Sequence, residues 1–283
     1  MEPWGEPMSD REPNSWAAPF PDLAGRVVLV TGGTSGIGKA SAAAFLRSGA
    51  VVAITGRSTG KGSAALDELG SAGRSRESVM FVSADVTREA DVAAMVATVV
   101  NRFGGLHIAV NSAANTEVSG DGGSRFTDMT LEGFEGVVRT CLTSVWLCMK
   151  HELTAILASG GGSIINISSV DALLAAPGTG SYAAAKAGVN AMSRAAAAEY
   201  ASQGVRVNVI SPGAIETPML AANLAAGSAE ERDAIMARYL SMIDSRRLGM
   251  PEELAAAVVW LASDQASYVV GHNLVVDGGI RGD

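Results

Sequence analysis

Short β-branched runs recur along the chain at Val27 to Thr31, Val51 to Thr55, Val79 to Ser83, His107 to Val110, Ser163 to Ile167, Val205 to Ile210 and Asn273 to Val276. Between them lie stretches with Ala, Leu, Glu and Arg at 3.6-type spacing, over 37–48, 60–70, 88–103, 130–158, 181–201 and 251–263. This alternation predicts strand, helix, strand from end to end. Right-handed crossovers then gather the strands into a parallel sheet with helices on both faces. The central runs are continuously apolar, as strands covered on both faces must be. The expectation is an α/β fold: a seven-stranded parallel sheet in a single domain spanning 23–283, without internal repeats.

Three stretches depart from that rhythm. The helix SYAAAKAGVNAMSRAAAAEYA, from Ser181 to Ala201, is small and apolar nearly all round, so it needs cover on more than one side. The sheet covers one face, and another copy of the chain is expected to cover the other, its alanines letting two helices approach closely in a symmetric interface. Residues 214–246 interrupt the pattern with Met, Ala and mixed charges and are read as a substrate lid. Residues 1–22 carry Pro3, Pro7, Pro13, Pro19 and Pro21 among acidic side chains, which suits a flexible extension rather than a signal peptide or a membrane span.

Composition narrows the partners. With 283 residues, 48% of them hydrophobic, the chain can bury a sizeable core. Its net charge of −8 argues against nucleic acid, which needs a basic face, and leaves a small neutral molecule as the expected substrate. Cys141 and Cys148 fall two turns apart on one helix, roughly 10 Å and beyond disulfide reach. They suit a reducing, cytoplasmic setting. His107, His151 and His272 are scattered without ligand spacing, so no metal site is expected.

Directly after the first strand comes Thr31-Gly32-Gly33-Thr34-Ser35-Gly36-Ile37-Gly38, and a helix begins at about Ile37. A pyrophosphate needs backbone approach without Cβ obstruction, free N–H groups and the positive end of a helix dipole. Gly32, Gly36 and Gly38 supply the clearance for a dinucleotide. At the end of the second strand an acid would hold the ribose diol of NAD, whereas a cation favours the 2′-phosphate of NADP. The chain has Thr55-Gly56-Arg57 there, so NADP(H) is favoured and NAD(H) remains open.

Tyr182 and Lys186 stand one turn apart at i and i+4 near the start of the small-residue helix. A phenol titrates near pH 10, and an adjacent ammonium favours its phenolate, which suits a proton-transferring group. Upstream, the run Ser163 to Ile167 ends in Ser168 and Ser169, at the edge where doubly wound sheets place their ligands. Ser169 can there donate to a substrate oxygen as charge develops on it.

In this order the pieces resemble the short-chain dehydrogenase/reductase family, from Leu23 to Ile280. Thr31 to Gly38 matches Thr-Gly-x-x-x-Gly-x-Gly, and Ser169, Tyr182 and Lys186 stand at the family's usual spacing. The resemblance implies a single-domain Rossmann fold and an NAD(P)(H)-dependent oxidoreductase interconverting a secondary alcohol and a ketone. Ser169 orients the carbonyl, Tyr182 passes the proton, and Lys186 lowers the phenol pKa and holds the nicotinamide ribose. It further implies a cofactor site of Gly32, Thr34, Ser35, Gly36, Ile37, Gly38, Arg57, Asp85, Val86, Asn111, Ala113, Tyr182, Lys186, Pro212, Gly213, Ile215 and Thr217. A homotetramer, or a dimer, built partly through the Tyr182 helix is also implied.

The chain departs from the family at two places. Asn111-Ser112-Ala113-Ala114 stands where Asn-Asn-Ala-Gly is usual, which requires φ to stay negative at the alanines. Cys141 replaces an asparagine whose backbone carbonyl serves a water chain to the lysine, and loss of that side chain is expected to weaken a local helix distortion and slow the proton relay. A catalytically silent dinucleotide-binding scaffold or sensor is the alternative. Substrate identity is expected to reside in the lid and in loops such as 117–126. Asp171 is read as a solvated loop carboxylate with a substrate contact as the lesser alternative.

Overall fold

The structure is a computed structural model that describes residues 20–72, 76–114, 125–174, 177–225 and 228–280. The stretch before Phe20 and most of the loop 117–126 lie outside the described residues. Seven strands form one parallel sheet: β1 (Val27–Thr31), β2 (Val51–Gly56), β3 (Val79–Ser83), β4 (Ile108–Asn111), β5 (Gly162–Ile167), β6 (Val205–Pro212) and β7 (Asn273–Val276). Their order is β3-β2-β1-β4-β5-β6-β7. The order reverses between β1 and β4, and the crevice beyond their carboxyl ends is where such sheets bind ligands. Thr31 pairs with Asn111 in register at that edge.

Alternation along the central strands divides the core in two. Val28, Val30, Val52, Ile54 and Ile165 pack under α1 (Gly36–Arg47), α2 (Thr59–Gly70) and α9 (Pro251–Ala262), around the fully buried Phe45, Leu254 and Val258. Val27, Leu29, Ala53 and Ile164 pack under α3 (Glu89–Phe103), α5 (Ser144–Ala158) and α6 (Gly180–Tyr200), against Met95, Val99, Ile156 and Val189. All five residues of β1 are buried, which explains its unbroken apolar run.

The single helix expected over 130–158 is corrected to three pieces. α4 (Leu131–Val138) leads through a π-helical turn, Arg139–Thr143, into α5. The Ser144 N–H reaches back to the Arg139 carbonyl, closing the wider turn. Hydroxyls support it: Thr140 Oγ1 donates to the Gly136 carbonyl at 3.0 Å, and Ser144 Oγ to the Thr140 carbonyl at 2.7 Å. Cys141 lies at its centre, and the distortion is present with a cysteine there.

Other boundaries shift less. β4 starts one residue later than expected, because His107 turns its Nδ1 to accept from the Val27 N–H at 3.0 Å. β6 runs two residues past Ile210, carried by pairing of Ser211 and Pro212 with β7. The tract 214–246 is largely helical, with α7 (Pro218–Ala225) and α8 (Ala229–Met242), which its weak apolar periodicity hid.

Candidate active site

The glycine loop joins β1 to α1 beside the reversal in strand order. Gly32 has φ +67°, and a Cβ there would stand 2.8 Å from the Ala113 Cα. A Cβ on Gly38 would meet the Gly32 carbonyl oxygen at 2.4 Å, so the loop and the first helical turn touch backbone to backbone. Ser35 occupies the N-cap of α1 without a side-chain capping bond, and the first turn carries no acid. The helix therefore leaves its first N–H donors, around Gly36, Ile37 and Gly38, for an anion. The chain's own residues fit a dinucleotide pyrophosphate.

Neighbouring segments frame that cradle. Thr34 lies against Gly56, one residue before the exposed Arg57. Asp85 and Val86 follow β3, half-buried. Burial pushes the Asp85 carboxyl up, but bonds from the Thr87 N–H and hydroxyl and the charges of Arg57 and Arg88 outweigh it and hold it below the usual range. Thr217 reaches the far side of Gly36, so the segment after β6 borders the loop. Pro212 is buried at the end of β6, and the Gly213 N–H donates to the Val276 carbonyl at 3.1 Å. Ile215 is buried and bridges to Gly249.

Asn111 stands at the floor of the crevice, 2% exposed. Its amide donates to Glu152 Oε2 at 2.9 Å and to Asn166 Oδ1 at 3.0 Å, and Asn166 donates on to Ser193 Oγ at 2.8 Å. The Ala113 N–H donates to Thr31 Oγ1 at 3.3 Å, fixing Ala113 against Gly32. Among the described non-glycine residues only Arg246 has a positive φ, so Ala113 and Ala114, the latter standing where the family has glycine, adopt ordinary backbone. Glu152 escaped the sequence reading, since a carboxylate on an amphipathic helix usually faces water.

Across the crevice, Ser169 caps a short 3-10 turn, Val170–Ala172. Its Oγ accepts from the Asp171 N–H at 3.1 Å and donates to Asp171 Oδ2 at 3.3 Å, and it draws the phenol pKa of Tyr182 down. Asp171 is thus half-buried and bonded to Ser169, which corrects its reading as a solvated carboxylate. Burial pushes the Tyr182 phenol well above its ordinary value, Cys141 and Asp171 add to this, and Ser169 opposes it. Lys186 is 3% exposed and donates to the Ile167 carbonyl at 2.8 Å, its Nζ 5.7 Å from the Tyr182 ring centre. Burial pushes the Lys186 ammonium pKa down. α6 holds both residues in place, its Lys186 carbonyl accepting from Ser168 Oγ at 3.1 Å.

Ser169, Tyr182 and Lys186 therefore meet beside the glycine cradle on one rim of the sheet. A family model described as Enoyl-(Acyl carrier protein) reductase matches residues 32–281. A 2,5-dichloro-2,5-cyclohexadiene-1,4-diol dehydrogenase of Sphingobium indicum is 38% identical over 260 residues, covering 91% of this chain and 98% of that one. The chain belongs to the short-chain dehydrogenase/reductase family. It shares that family's NAD(P)-dependent oxidoreductase scaffold. A cyclohexanol dehydrogenase of an Acinetobacter species is 35% identical over 89% of this chain and 94% of its own. The crystal structure of a levodione reductase superposes with a TM-score of 0.84 at 32% identity, covering 90% of this chain and 97% of that one.

Among the described residues no three His, Cys, Asp or Glu side chains could together hold a metal ion, and no helix is long and apolar enough to cross a membrane. Cys141 and Cys148 are both free and buried.

Proposed function

We propose that the chain interconverts a secondary ring alcohol and the corresponding ketone, with Tyr182 as the proton-transferring group. The observation that carries this is the pairing of Tyr182 and Lys186 on α6, the Lys186 Nζ standing 5.7 Å from the phenol ring centre and anchored on the Ile167 carbonyl two residues before Ser169. When bound, the nicotinamide supplies the hydride acceptor for oxidation or donor for reduction. Ser169 orients the substrate oxygen, and Tyr182 takes its proton in oxidation or returns one in reduction. Lys186, anchored on the Ile167 carbonyl, supports the cofactor ribose. The cyclic alcohols in the relatives' names suggest the substrate class.

Finer points rest on single features. Exposed Arg57 just past β2 favours NADP(H), pairing its guanidinium with the 2′-phosphate. α7 and α8 serve as the substrate lid over the domain that begins at Leu23. The outward face of α6 joins copies into a tetramer, and the two free thiols suit a reducing cytoplasm.

A panel of cyclic alcohols and ketones, run with NADP(H) and NAD(H) on wild type and Tyr182→Phe, tests the reading. Tyrosine-dependent turnover is expected. Its absence on every substrate, with cofactor still bound, would leave the silent dinucleotide-binding scaffold.

A further inference from the structure

Asp171 is more than the cap of its turn requires. The cap is made by its N–H, which donates to Ser169 Oγ at 3.1 Å, and any residue could supply that bond. Its carboxylate adds one 3.3 Å bond from the Ser169 hydroxyl, and among the described residues no Lys, Arg or His pairs with it. An ionised carboxylate only accepts, with about four lone-pair directions, so most of its capacity is unused. Burial pushes its carboxyl up, a cost that capping alone does not explain.

The surroundings point to the pocket. Asp171 lies close enough to the Tyr182 phenol and to Tyr239, on α8, to oppose ionisation of both. Its negative charge thus acts both on the residue that would move the proton and on the tract read above as the lid. A substrate oxygen bonded to Ser169 stands within about 6 Å of Asp171 Oδ2, since one hydrogen bond spans about 2.8 Å and the Ser169 to Asp171 gap is 3.3 Å. A second hydroxyl on the same ring falls within that reach.

We propose that Asp171 is a specificity-determining residue that accepts a hydrogen bond from a second substrate hydroxyl, selecting ring diols over the matching mono-alcohols. This rests on the reading of Tyr182 and Ser169 as the site of alcohol oxidation. A charge-assisted bond formed away from bulk water discriminates strongly against a substrate lacking the donor, because the carboxylate is then left half-buried and unpaired.

The test compares kcat/KM for cyclohexanol, cis-1,2-cyclohexanediol and trans-1,4-cyclohexanediol, with cofactor, in wild type, Asp171→Ala and Asp171→Asn. Wild type is expected to favour at least one diol about tenfold or more. Asp171→Ala is expected to bring that ratio to about one, and Asp171→Asn, whose amide oxygen still accepts, to an intermediate value. Should Asp171→Ala fail to fold, the reduced ratio in Asp171→Asn carries the test. A wild type indifferent to the second hydroxyl overturns the proposal alone, as does an equal loss on all three alcohols in the variants, which would reduce Asp171 to a support for Ser169. Absence of Tyr182-dependent turnover on any of them overturns the underlying reading and the proposal with it.

Discussion

The Asn111 side-chain amide donates a 2.9 Å hydrogen bond to Glu152 Oε2, tying the end of β4 to α5 through the interior. Glu152 is fully buried, and its other oxygen, Oε1, has no hydrogen-bond partner among the described residues. Burial pushes its carboxyl up to about 7, against the opposing bond from Asn111. A carboxyl raised on folding binds more protons folded than unfolded between its ordinary value and about 7. Stability therefore falls as pH rises through that window, by a ceiling of about 3 kcal/mol. Glu152→Gln removes the titration, so melting temperatures of variant and wild type are expected to converge near pH 4.5 and to separate in the variant's favour by pH 8. A separation that ignores pH would refute this.

For Tyr182, burial disfavours the phenolate, the form that accepts a proton during alcohol oxidation. Oxidation is therefore expected to quicken as pH rises, whereas ketone reduction, whose protonated phenol stays the dominant form throughout, is expected to change little. Tyr182→Phe is expected to lower kcat by about 10² to 10⁴ and to abolish that pH dependence, with cofactor affinity largely kept. Initial rates in both directions across pH 6 to about 10 check the sign. A phenylalanine variant with the wild-type profile would remove Tyr182 from the proton path.

Arg57 follows β2 directly, and its charge already acts on Asp85, just past β3. Arg57→Asp replaces a cation by an acid, which repels a 2′-phosphate and can hold a ribose diol. The kcat/KM ratio of NADPH to NADH is expected to fall about 100-fold, from the loss of one charge-assisted pair and the gain of one repulsion. An unchanged ratio would show that Arg57 does not read the phosphate.

These expectations divide by how local their signals are. The strands were legible because β1, β2 and β4 to β6 are largely buried runs rich in Val and Ile, and the cradle because Gly32 and Gly38 must be glycine for backbone to touch backbone. Tyr182 and Ser169 carried spacing as well as chemistry. The π-helical turn was hidden, since Thr140 and Ser144 look like ordinary helix hydroxyls until their carbonyl partners are known. Glu152 was missed and Asp171 misjudged for one reason: burial of a carboxylate depends on tertiary neighbours, and a single chain's pattern shows only that such residues usually face water.

The outward face of α6 offers a last measurable consequence. Ser181, Ala185, Val189, Ser193 and Ala197 face inward and are buried, while Ala184, Ala187, Ala191, Ala195 and Ala198 face outward and are exposed. The outward alanines recur every three or four positions, with exposed Arg194 and Glu199 beside them, so they form a strip of short side chains that another helix can approach closely. On the adjacent α5, Trp146 is 46% exposed, extending the apolar area. Replacing Ala191 by Arg adds a charge and bulk at the middle of the strip, while costing the isolated helix little because arginine is a good helix former. Sedimentation equilibrium is expected to find wild type as a tetramer and Ala191→Arg as a smaller species. Identical masses for the two would place any assembly on another face, since a desolvated arginine at a helix crossing of alanines cannot be accommodated without separating the copies.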